Sequence, residues 1–118
     1  MEATMTLITD EQRTAMLAND HRYAADPSFD PMPVVKIFNP LGRATWLLCS
    51  LDREDPDIAS GLCDLGFGTP EIGSVRISEM RSCRLPLGLR LERDLHFKPS
   101  KTLGEYAEDA RLRGYIRA

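Results

Sequence analysis

The sequence is poor in the residues that announce chemistry. Its 118 residues hold three cysteines, two histidines and a single tryptophan. Cys49, Cys63 and Cys83 are odd in number, far apart and without a C-x-x-C pair, which excludes a disulfide framework and a zinc knuckle. They are expected to be reduced, mostly buried thiols. Each would need an aligned histidine to act as a nucleophile, and only His21 and His96 are present. No run approaches the ~20 apolar residues of a membrane span. The opening MEATMTLITDEQR lacks the apolar stretch of a signal peptide, so a cytoplasmic location and no membrane partner are expected. Charge of one sign is missing too. Eighteen acidic against 15 basic residues leave a net charge of −3, which gives no overall attraction to a polyanion and is far too balanced for a nucleic-acid mimic.

What remains is a globular composition, with 42% hydrophobic and 28% charged residues, so the chain should fold as one domain over residues 1–118 without a metal or disulfide staple. Thr9 and Gln12 form a capping box that predicts a helix from Asp10 to Asn19, with Ile8, Ala15 and Met16 on its buried side. The segment His21 to Pro33 carries Pro27, Pro31 and Pro33 and reads as a loop that wraps the fold or closes as a lid. Val34 to Phe38 is a strand ending in the turn residues Asn39, Pro40 and Gly42. Ala44 to Leu51 is apolar on both parities, the pattern of a central strand covered on both faces.

A meander is predicted through Gly61 to Gly66 and Ser74 to Ser78, then a helical turn at Ser78 to Cys83 and a loop at Leu85 to Gly88. A strand is predicted from Leu89 to Phe97. Thr102 with Glu105 repeats the capping box, and Leu103, Tyr106, Ala107 and Ala110 recur at helical spacing. The expected fold class is α+β, a small, mostly antiparallel sheet of about five strands with an N-terminal helix and a C-terminal amphipathic helix.

The run EDPDIASGLCDLGFGTPEIGSVRISEM, followed by PLGLRLERDLHF and LGEYAEDAR, resembles a bacterial family of unknown function, DUF2958; LITDEQR and PVVKIFNP extend the resemblance over nearly the whole chain. Its members are small proteins carried on plasmids, integrative elements and phages. The resemblance implies an accessory role in a mobile element and brings no catalytic residue set. Leu85 and Arg90 stand where the family pattern has Gly and Pro, so an altered loop before the last strand is expected.

Several groupings bear on function. Glu92, Asp94 and His96 share one parity of the predicted last strand and are candidate ligands for a divalent cation, or a general acid and base; the plainer reading is the wet face of an edge strand. Arg93 falls on the apolar parity and calls for a partner. Asp64 is the first candidate for a structural ion pair and Glu71 the second, the functional alternative being an anion-binding arginine. Asp52, Glu54, Asp55 and Asp57 suggest half of a calcium loop but contain Pro56 and lack the central Gly and terminal Glu, so a solvated turn is favoured. Gly66, Gly68, Pro70 and Gly73 read as a hairpin turn rather than a phosphate cradle. Trp46 and Phe38 are expected in the core.

Arg76, Arg81, Arg84 and Arg90 are candidate phosphate contacts, set against a solvated surface. Rich in folding signals and poor in catalytic ones, the sequence points to a non-enzymatic binding or adaptor module without a cofactor, for a protein partner or a nucleic acid. The alternatives are a metal-dependent enzyme acting on a phosphodiester through Glu92, Asp94 and His96, or an inhibitor of a host defence enzyme that presents the acidic turn.

Overall fold

A computed structural model describes residues 6–118. Helix α1 spans Asp10–Ala25, followed by strands β1 (Val35–Phe38), β2 (Thr45–Leu51), β3 (Ile58–Asp64) and β4 (Glu71–Arg76). Helix α2 (Ile77–Ser82), the short strand β5 (Glu92–Arg93) and helix α3 (Leu103–Arg113) complete the chain. The five strands pair antiparallel in the order β4-β3-β2-β1-β5. The α+β class, the five-stranded sheet and both terminal helices are as the sequence predicts.

The α1 capping box forms as predicted: the Thr9 hydroxyl accepts the Gln12 N–H at 3.1 Å while Gln12 Oε1 accepts the Thr9 N–H at 2.9 Å. Its far end differs. Asn19 does not stop the helix, because its side-chain amide donates to the Cys49 carbonyl at 2.8 Å and fastens α1 to β2. The stop falls at Asp26, extended at φ −146°, where the following Pro27 disfavours helical backbone. Ala15 faces solvent, and Met16 alone of the helix is fully buried. The proline-rich loop is a strap rather than a lid. Asp30 Oδ1 accepts the Gly104 N–H and the Pro31 carbonyl accepts the Leu103 N–H, both at 2.8 Å, so the loop holds the first turn of α3.

Strand β2 lies at the centre and is buried over nearly its whole length, as its double-parity apolar pattern predicts. On one face Trp46, Leu48 and Leu51 pack with Met16 of α1 and with Ile77 and Met80 of α2. On the other, Leu47, Cys49 and Leu62 pack beneath Leu103, Tyr106 and Ala110 of α3, the amphipathic face read from the sequence. A bulge at Cys49, where Leu48 opposes Gly61 but Ser50 opposes Ser60, shifts the parity and returns Leu51 to the α1 face. Gly61 permits this close crossing, since a Cβ there would overlap the Leu47 carbonyl oxygen.

Three predicted boundaries move. Strand β3 starts at Ile58 and ends at Asp64 rather than running from Gly61 to Gly66. Strand β4 starts at Glu71 and stops at Arg76, because the Asp57 carboxylate takes the Ser78 N–H and turns Ile77 and Ser78 into α2. The predicted strand from Leu89 to Phe97 shrinks to β5. At Asp94 the chain turns, its carboxylate accepting the His96 N–H at 2.9 Å and its carbonyl the Phe97 N–H at 3.4 Å, a side-chain turn that competes with extension.

Candidate functional site

The expected strand face for Glu92, Asp94 and His96 is lost with that turn. Glu92 opposes Phe38 of β1, Asp94 forms an ion pair with Lys36 at 3.5 Å, and His96 is exposed in the turn itself. Among the described residues no group of three or more His, Cys, Asp or Glu side chains is placed to hold a metal ion.

Arg93 and Asp64 are not partners. The cross-strand register runs from Arg93 through Ile37 and Trp46 to Cys63, so three strand spacings, roughly 14 Å, separate Arg93 from the end of β3. Arg93 donates to the Thr6 carbonyl, and its position on the edge strand β5 relieves the burial that the apolar parity implied. Asp64 is only 2% exposed, yet its charge is met by backbone dipoles: Oδ1 accepts the Gly66 N–H at 2.8 Å and Oδ2 the Ile116 N–H at 3.1 Å. It lies on a cleft of about 610 Å³ lined also by Arg43, Arg113 and Tyr115. Arg113 is itself held by Asp109 through contacts of 2.9 and 3.1 Å, which keep the Asp109 carboxyl below its ordinary range. The cleft is the joint between the β3–β4 loop and the C-terminal tail, and Asp64 is its pin.

The acidic turn closes on itself. Asp52 Oδ1 accepts the Glu54 and Asp55 N–H groups at 2.8 and 3.2 Å. Asp57 accepts from Ser78, and that pair of bonds, with Arg76 adding to them, lowers its pKa from the ordinary carboxylate value. Arg76 reaches Asp55 at 3.1 Å and Asp57 at 3.6 Å, so its charge is already met and it stands apart from the other three arginines. Arg81, Arg84 and Arg90 do come together. Arg84 and Arg90 bridge across a tight hairpin, and Arg90 Nη1 donates to the Arg81 carbonyl at 3.0 Å. All three are exposed, and among the described residues none makes an ion pair. The loop expected to be altered by Leu85 and Arg90 is this hairpin, closed by a bond of 3.0 Å from the Leu85 N–H to the Leu89 carbonyl.

A second open surface lies at the other edge of the sheet. The Ile77 N–H bonds the Asp57 carbonyl at 2.8 Å and so extends the β3–β4 ladder. Antiparallel alternation then assigns the backbone groups of Glu71, Gly73 and Val75 to β3, and those of Ile72, Ser74 and Arg76 to the outer edge. Among the described residues no strand pairs with that edge. Around it Leu65, Phe67 and Ile72 are 59%, 83% and 58% exposed. A groove of about 300 Å³ runs along it, lined by Trp46, Cys63, Gly73 and Val75 from the sheet face that carries α1.

Gly73 is the telling residue. Its backbone is not left-handed, and a Cβ there would meet only the Cys63 Sγ, at an ordinary 3.9 Å, so nothing among the described residues requires glycine. Gly66 and Gly68, by contrast, turn the β3–β4 loop at φ 89° and 87°, as the sequence predicts. The sequence reading missed the edge because it absorbed Glu71 to Gly73 into a turn. The available signal was the pair of β-branched residues, Ile72 and Val75, within E-I-G-S-V-R.

Fold and surface together define a small α+β protein, and none of its described helices is long and apolar enough to cross a membrane. The chain belongs to the family described as protein of unknown function (DUF2958), whose sequence model matches residues 7–117. No curated protein and no solved structure matches it.

Proposed function

We propose that this protein is a non-enzymatic binding module which takes an extended segment of a protein partner onto the open edge of β4, in the mobile-element setting that the family resemblance implies. One observation carries the reading: a six-residue edge strand presents backbone groups that no described strand pairs, beside a groove that a glycine leaves unfilled. Unpaired backbone N–H and C=O groups in a row select another strand, and alternate side chains of that strand enter pockets. The segment added to Ile72, Ser74 and Arg76 places an apolar side chain over Gly73, against Trp46 and Cys63, with Phe67 and Leu65 covering its end.

The test uses tagged protein and Ser74→Pro. Ser74 points its N–H away from β3, and proline is tolerated on an edge strand at such a position, so the variant removes one outward donor and leaves the inner ladder intact. We expect wild type to retain a stoichiometric, nuclease-resistant protein partner from host lysate and Ser74→Pro to lose it without a matching drop in Tm. Equal retention by the two proteins contradicts edge pairing.

A further inference from the structure

The hairpin between Arg84 and Arg90 presents a second surface that the β4 edge does not use. Its inward face is Cys83, Leu85 and Leu91, which pack on the core. Its outward face is Arg84 opposite Arg90, and the Arg90 guanidinium donates to the main-chain carbonyl of Arg81, itself exposed at the end of α2. At the tip, Pro86-Leu87-Gly88, Leu87 is 89% exposed and sits at φ 63°, ψ 22°. A bulky side chain is therefore held in water on a left-handed backbone, a conformation that suits glycine or asparagine. Folding draws nothing from that side chain, and the three guanidiniums behind it have no carboxylate partner among the described residues.

We infer that this hairpin is an arm for double-stranded DNA. Arg81, Arg84 and Arg90 contact phosphates flanking the minor groove and Leu87 enters as an apolar wedge between base pairs, the way minor-groove proteins combine cations with an inserted apolar side chain. Charge complementarity selects the occupant: three neighbouring exposed arginines, without an ion-pair partner among the described residues of a chain of net charge −3, mark a local anion site. One leucine is too little apolar surface for stable insertion into a lipid bilayer, which places a duplex ahead of an anionic membrane. The inference is independent of the β4 edge, and none of the three variants below touches that strand.

The experiment is equilibrium binding of the full chain to a short duplex carrying 2-aminopurine, read by anisotropy for affinity and by fluorescence for unstacking, with phosphatidylserine vesicles as the competing anionic surface. Three phosphate contacts predict a log–log salt slope of about −2.7, or a roughly 40-fold loss of affinity between about 50 and 200 mM salt. The triple variant Arg81→Gln/Arg84→Gln/Arg90→Gln is expected to lose binding. Leu87→Asn, which suits the left-handed backbone, is expected to keep the slope, lose the unstacking signal and melt no lower than wild type; Leu87→Gly serves as its control should the asparagine perturb the fold. Salt-insensitive or absent duplex binding, binding untouched by the triple variant, or preference for the vesicles overturns the arm. Unstacking that survives both Leu87 variants overturns the wedge.

Discussion

The carboxylate of Asp57 accepts two hydrogen bonds from Ser78, from the backbone N–H at 2.8 Å and from the hydroxyl at 2.6 Å. The turn joining β2 to β3 thereby supports the first turn of α2, 21 residues later in the chain. The acidic cluster that suggested a cation loop is structural, and Arg76 completes it.

This pair gives the protein an acid-sensitive contact. Because the Ser78 bonds lower the folded pKa of Asp57, its contribution to stability is full above the ordinary carboxylate value near about 4 and is lost as pH falls through the lower folded value. Asp57→Asn is expected to be less stable than wild type near neutrality, with the gap closing on acidification. Urea midpoints across that range that stay parallel in the two proteins refute the assignment.

Gly104 is expected to resist the usual helix-stabilising exchange. Alanine in a helix is ordinarily better than glycine by about 1 kcal/mol. Here a Cβ would lie 2.7 Å from Asp30 Oδ2, where that carboxylate accepts the Gly104 N–H. Gly104→Ala should therefore destabilise by about 1–3 kcal/mol, the range for overpacking, as measured by chemical denaturation. A rise in stability contradicts the strap between the proline-rich loop and α3.

Cys49 is the least reactive of the three thiols. Burial is the first cause and Asp30 the second, and together they push its pKa up to about 12. Thiol reagents at mildly alkaline pH should modify it only on unfolding, after Cys63 and Cys83, which are partly exposed. Its raised pKa contributes stability below the unfolded thiol value, near about 8.5. That contribution declines above it by up to about 1.4 kcal/mol per pH unit. Labelling of Cys49 at the rate of the other two in folded protein refutes its burial.

The sequence made the layered fold readable where local and tertiary signals agree. Both capping boxes, the double-parity strand β2 and the face Leu103–Tyr106–Ala110 appear where their patterns place them. It misled where one side chain overrides a pattern. Asn19 was an end signal until tertiary structure gave its amide a strand to hold, and Asp94 ended a strand whose alternation continued beyond it. The Arg93–Asp64 pairing failed because hydrophobic parity reveals a face and not a distance across the sheet. The four arginines divided for a related reason, since the carboxylates that claim Arg76 lie 21 and 19 residues away. The open edge of β4 was legible only in outline: which strand is left at the edge of a sheet is a property of topology.

The account rests on Gly73 serving a partner rather than the fold. Replacing it with valine tests this most directly, because the new side chain enters open space beside Cys63 and suits a strand, with an expected gain of roughly 0.5–1 kcal/mol. The measurement is Tm and partner retention on the same Gly73→Val preparation. A higher Tm with loss of the partner that wild type retains is the predicted result; retention of that partner in full by the valine protein contradicts the account.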